Sequence, residues 1–174
     1  MAIINITSNN KTMAAIDKVL TFSIGDESYA IDVLRVQEII RLPKITRLPR
    51  MPEYIRGVIN LRGKIIPIFD LKVCFGMTAL TETPKTCVVI LETEDAEANT
   101  LNAGFLVDSV NDIVSLANTH LEANVDTETH IPTHYIHGIC QMGGTVRTLI
   151  DIDAILKDTP LEAQSEAKDL YKGI

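Results

Sequence analysis

The chain has 174 residues and a formal net charge of -7, with a pI near 5.0. This excludes a surface built to track phosphates, since nucleic-acid binders gather Lys and Arg on one face. Apolar residues are 46% of the chain but aromatics only 5%, with no Trp, so Ile, Val and Leu dominate, and a mean hydropathy of +0.16 predicts an aliphatic patch left for a partner.

Residues 1–16 are polar and Asn-rich without a period, and disorder is expected there. They also lack the basic and apolar regions of a leader. No later apolar run, such as Ile65 to Phe69, approaches the ~20 residues that span a bilayer, so a cytoplasmic location without direct membrane contact is predicted. Residues 17–157 read as one folded unit with two subdomains, about 17–83 and about 84–157. Lys18 to Ile24 and Glu27 to Ile31 alternate around Gly25-Asp26 and predict a hairpin. Asp32 then precedes Val33, Val36, Ile39 and Leu42. Apolar residues at every third position predict a helical turn or two, with Asp32 as its cap. Pro43, Pro49 and Pro52 make the next stretch a connector around a short strand at residues 45–48. Gly57 to Leu61 and Lys64 to Leu71, joined at Arg62-Gly63, predict a second hairpin. Lys72 to Phe75 closes the first subdomain.

The second subdomain repeats this plan. Cys87 to Leu91 and Leu101 to Val107 are predicted strands around an acidic loop at residues 92–100. Val107, Val110, Ile113 and Leu116 fall on Val33, Val36, Ile39 and Leu42 at an offset of 74. Tyr54 to Leu71 then aligns without a gap on Tyr135 to Ile152 at an offset of 81. The match superimposes Tyr54 on Tyr135, Gly57 on Gly138, Gly63 on Gly144 and Asp70 on Asp151. Short strands with little helix predict a mainly β protein made of two small barrels. The seam between them, lined by Val33, Val36, Val107 and Val110, is the expected docking cleft. Residues 158–174 form a charged, Ala-rich tail for which a surface helix is expected.

Few residues invite chemistry. His130, His134 and His137 have a spacing that suits a metal, but Pro132 interrupts any helix that would align them, so no metal or other cofactor is expected. Asp70 and Asp151 follow strands, where a repeated carboxylate caps a helix more readily than it catalyses. No nucleophile, phosphate-loop or zinc-protease motif occurs, and no catalytic residue is assigned. Cys74, Cys87 and Cys140 lack C-x-x-C spacing and read as small buried hydrophobes in a reducing compartment. Arg62 differs, because its counterpart is Gly143. A long cation at a turn that tolerates glycine points to hydrogen bonding with a partner.

The segments Tyr29 to Ile39, Arg56 to Leu71 and Gly104 to Asp108, with the second Tyr-Ile-x-Gly copy, make the chain resemble the CheW-like domain family from about Val19 to Leu156. Its adaptor members couple bacterial chemoreceptors to the histidine kinase CheA. The resemblance implies two pseudo-symmetric five-stranded SH3-like barrels with a few short helices, and a non-catalytic role. It also implies two protein partners: the chemoreceptor's cytoplasmic hairpin tip, and the regulatory domain of CheA at membrane-associated arrays. Carried over position by position, receptor contacts fall on Val33, Val36, Glu38, Gly57, Arg62, Val88 and Ile113, and a kinase contact on Gly63. Gly143, where many relatives carry a polar residue, and the acidic loop at 92–99 depart from the family pattern. An adaptor of a non-flagellar pathway, serving surface motility or second-messenger control, fits the same residues, and a small metal-dependent enzyme is the remaining alternative.

Overall fold

A computed structural model describes residues 16–94, 98–117, 120–122 and 131–158. The expected disorder of 1–16 therefore lies outside them almost entirely, as does the expected helix in 158–174 beyond Asp158. The middle of the acidic loop and His130 are also outside.

The architecture is mainly β. Among the described residues, eleven strands form two antiparallel-rich sheets. The first sheet holds β1 (Lys18–Ile24), β2 (Glu27–Asp32), β8 (Ser109–Ser115), β9 (His120–Glu122), β10 (Ile136–Met142) and β11 (Thr145–Ile150), in the order β8-β1-β2-β11-β10-β9. The second holds β3 (Val36–Arg41), β4 (Ile55–Leu61), β5 (Lys64–Asp70), β6 (Cys87–Glu94) and β7 (Thr100–Val107), in the order β3-β6-β7-β5-β4. Each is thus a five-stranded SH3-like unit, the first extended by the three-residue β9. Two short helices follow the repeated hairpins, α1 (Leu71–Cys74) and α2 (Ile152–Asp158). Among the described residues no helix is long and apolar enough to cross a membrane.

The hairpins form where the turn chemistry places them. Arg62-Gly63 has φ of 52° and 83°, and Gly143-Gly144 has 56° and 79°, the paired left-handed geometry of a tight hairpin turn. The repeat extends to irregularities, because β4–β5 slips register between Ile55 and Gly57 and β10–β11 between Ile136 and Gly138. Asp70 accepts from the Lys72 amide at 3.0 Å and Asp151 from the Ala154 amide at 3.1 Å, so both cap the helices that follow, as expected.

Three expectations fail. The subdomain boundary at 83/84 does not separate the sheets: β1 and β2 join the β10–β11 hairpin, whereas β6 and β7 join the β4–β5 hairpin. The parallel pairs Leu149–Ala30 and Ile68–Gly104 are repeat equivalents, so each half of the sequence contributes its opening strands to the other half's barrel. The helix predicted after Asp32 is one 3-10 turn, Val33–Arg35, followed by strand β3; the repeated pattern at 107–116 is likewise strand β8. The short strand near 45–48 is a single bridge, Thr46 to Val58. It returns the connector to β4.

With the strands exchanged, the described residues form three cores. Val19, Ala30, Cys140 and Leu149 fill the first barrel, and Ile66, Ile68, Val88, Ile90 and Leu106 the second. The largest lies between the barrels and contains Leu20, Phe22, Tyr29, Phe69, Val89, Leu91, Phe105 and Ile150. Adjacent residues such as Val88 and Val89 thus point into different cores, which is why these strands read as continuous apolar runs. Strands buried on both faces absorb much of the apolar surplus, and the seam is packed solid with stacked rings such as Phe69 and Phe105, centroids 5.3 Å apart. It is not a docking cleft.

Candidate functional site

With the seam filled, contact surfaces fall on strand edges. β3 and β4 are the two edges of the second sheet. At the end of β4 the tight turn holds Arg62 with left-handed backbone, and Asn60 Oδ1 accepts from the Gly63 amide at 2.9 Å. From there the guanidinium reaches Glu38 on β3, with Nη1 to Oε2 at 2.9 Å and Nη2 to Oε1 at 2.8 Å. This bidentate, charge-assisted pair spans the open side of the barrel. Arg62 remains 74% exposed and Glu38 30%. Hydrogen bonding to Glu38 raises the Arg62 pKa above its ordinary value, so the cation is permanent.

The 3-10 turn sits beside β3, where the chain crosses from one barrel to the other. Asp32 accepts from the Leu34 amide at 3.0 Å, leaving Leu34 80% exposed. Val33 and Val36 are half-buried, Val36 against the central core. Arg35 locks the crossing. Its Nε donates to the Glu92 carbonyl at 3.0 Å, and its two terminal nitrogens donate to Asp153 at 2.7 and 2.8 Å. Gln37 donates to the Glu92 carboxylate at 2.7 Å. The hydrogen bond from Arg35 is the largest cause holding the Asp153 carboxyl below its ordinary value.

Ile113 lies on edge strand β8 and is 59% exposed. The row Val114–Val19–Asp32 runs across β8, β1 and β2, which puts Ile113 beside a row about 10 Å long that ends at the crossing turn. Its repeat equivalent, Ile39 on edge strand β3, is also exposed at 40%.

Two of the sequence-derived receptor residues are not surface groups. Val88 is fully buried in the second barrel and supports β3 from beneath. Gly57 is buried at φ 143°, where an added Cβ would overlap the Thr46 carbonyl and lie 2.8 Å from Ile45 Cγ2; its role is to admit the connector. Gly63, the expected kinase contact, is exposed at the hairpin tip. Of the three histidines, His130 lies outside the described residues; His134 Nε2 is 2.7 Å from Asp158 Oδ2, and His137 Nε2 is 3.7 Å from Asp151 Oδ1. Among the described residues no three metal-ligating side chains group together. Sequence reasoning missed the Arg35–Asp153 clamp, whose partners are 118 positions apart, and the exposed Ile39, the repeat equivalent of Ile113 that the 74-residue offset already aligned.

A family model described as the CheW-like domain matches residues 18–159. The chain belongs to the CheW-like domain family. Its CheW relatives include the chemotaxis protein CheW of Klebsiella aerogenes, 34% identical over 137 residues, covering 79% of this chain and 80% of that protein. The chemotaxis protein CheW of Helicobacter pylori is 30% identical over 136 residues, with coverage of 78% and 79%. The crystal structure of the scaffolding protein TtCheW from Thermoanaerobacter tengcongensis superimposes with a TM-score of 0.68 at 28% identity, covering 87% of this chain and 90% of that one.

Proposed function

We propose that this CheW-like chain is a non-catalytic adaptor that couples the cytoplasmic hairpin tip of chemoreceptors to the regulatory domain of the histidine kinase CheA. The observation that carries the reading is the Arg62–Glu38 pair, an exposed guanidinium locked across a barrel edge beside the half-buried Val36. Arg62 retains N–H groups for a partner carboxylate or carbonyl, while Val33, Val36 and Ile113 supply aliphatic contact. Val88 and Gly57 act indirectly, by holding β3 and its connector in place. The Gly63 turn belongs to the kinase face. The relatives' names, a chemotaxis protein and a scaffolding protein, agree with a role in which binding two proteins at once is the whole activity. Such an adaptor works in the cytoplasm and reaches membrane-associated arrays through its partners.

The test is co-sedimentation of the purified chain with receptor hairpin fragments and the CheA regulatory domain, separately and together. A ternary complex that Glu38→Ala and Ile113→Asp weaken without unfolding the protein supports the reading. Wild-type chain that binds neither partner, or variants that bind both normally, would refute it.

A further inference from the structure

The connector between β3 and β4 carries an unusual concentration of charge. Residues 41–56 hold Arg41, Lys44, Arg47, Arg50 and Arg56, five of the chain's 16 basic residues, and only Glu53 of its 23 acidic ones. In a protein of net charge -7, this is a local reversal of sign. Lys44, Arg47 and Arg56 line a cavity of about 330 Å³ together with Leu42, Pro43, Ile45 and Glu82, a volume at the lower end for small-molecule sites.

The walls are held in place. Thr46 and Val58 exchange amide hydrogen bonds at 2.9 Å in both directions, and Gly57 lets the connector lie directly on β4. Arg56 is fixed as well. Its Nη2 donates to the Leu80 carbonyl at 2.9 Å and its Nε is 3.8 Å from Asp70 Oδ2, while Nη1 has no partner among the described residues. Asp70 offsets part of that charge, but it also accepts from the Lys72 and Leu80 amides. Lys44 and Arg47 are exposed and unpaired among the described residues. The single acidic group on the wall is the exposed Glu82. Arg56 and Arg62 stand six residues apart, about 20 Å along β4, so the cavity is separate from the Arg62–Glu38 surface.

We infer that this cavity binds a small organic anion, its doubly charged oxyanion head held by Lys44, Arg47 and Arg56 and its apolar body against Leu42, Pro43 and Ile45. The fixed Arg56 guanidinium offers directed N–H groups, and the two exposed cations Lys44 and Arg47 supply attraction. Phosphate monoesters and dicarboxylates share the head chemistry.

The experiment is calorimetric titration of the full chain with phenyl phosphate, benzylmalonate and inorganic phosphate at matched ionic strength, against sodium chloride. Phenyl phosphate or benzylmalonate should bind above the chloride control and several-fold tighter than inorganic phosphate; the stronger of the two identifies the head. Lys44→Glu with Arg47→Glu should weaken that binding by at least about tenfold, with circular dichroism and melting unchanged because both side chains are exposed. Amide shifts at Leu42 and at residues 44–47 should follow the same isotherm. Heats equal to chloride, or binding unaffected by the double variant, would overturn the site. Inorganic phosphate binding as tightly as phenyl phosphate would overturn the role of the apolar wall.

Discussion

Arg62 and Glu38 hold one another across the open side of a barrel, the cation projecting from a hairpin turn and the carboxylate from the opposite edge strand, at 2.8 and 2.9 Å. The backbone there is left-handed at φ 52°, and the repeat places Gly143 at φ 56° in the equivalent turn. Arg62→Gly therefore removes the guanidinium while suiting the turn. The variant should melt within about two degrees of wild type, yet bind receptor fragment or CheA regulatory domain roughly tenfold more weakly. If Glu38→Ala gives a similar loss and the double variant loses no more, the two side chains act as one unit. Additive losses would show separate contacts.

Gly57 should be intolerant of any side chain. A methyl group would overlap the Thr46 carbonyl at a backbone φ of 143°, so Gly57→Ala is expected to cost about 3 kcal/mol or more in urea unfolding. A cost below about 1 kcal/mol would mean that the connector is not pinned to β4 as described.

The clamp between Arg35 and Asp153 predicts a pH dependence. Hydrogen bonds from Arg35 hold the Asp153 carboxyl below its ordinary value of 3.8. A lowered folded-state value gives stability that is complete above 3.8 and disappears as pH falls through the lowered value. Wild type should thus lose melting temperature more steeply than Asp153→Asn between pH of about 4 and about 2. At pH 7 the two should differ by only about 0.5–1 kcal/mol, because the pair is half exposed and screened. Parallel pH curves would remove the clamp from the stability account.

Two thiols should resist modification. Burial pushes Cys74 up to about 12 and Cys140 up to about 11, so both remain protonated near neutrality. Alkylation at pH 8, followed by mass spectrometry, should modify each about a hundredfold more slowly in the native protein than in denaturant. Fast native labelling of Cys140 would show that the first barrel opens readily.

The hairpins at Gly25-Asp26, Arg62-Gly63 and Gly143-Gly144 were legible because turn chemistry is local. So were the caps at Asp70 and Asp151, which depend on residues two or three positions away. The segment after Asp32 misled for a specific reason. β3 alternates half-buried and exposed side chains, but Ile39 lies on the exposed side. Counted as core, it turns a two-residue period into an apparent three-residue one. Ile113 did the same in the second copy. An isoleucine placed toward solvent on an edge strand thus hid the strand and marked a surface.

The amino-acid order by itself determined the β class, the duplicated hairpins and their turns, and the family, because each rests on neighbours close in the chain or on a motif read in order. The tertiary structure alone decided that the opening strands of each half cross into the other's barrel. It also decided that the join between barrels is a packed core, that Val88 and Gly57 are internal, and that Arg62 meets Glu38. Those outcomes depend on which sheet edges meet across dozens of residues. No local period encodes that choice, since an apolar run buried on both faces reads the same whichever strand lies beside it.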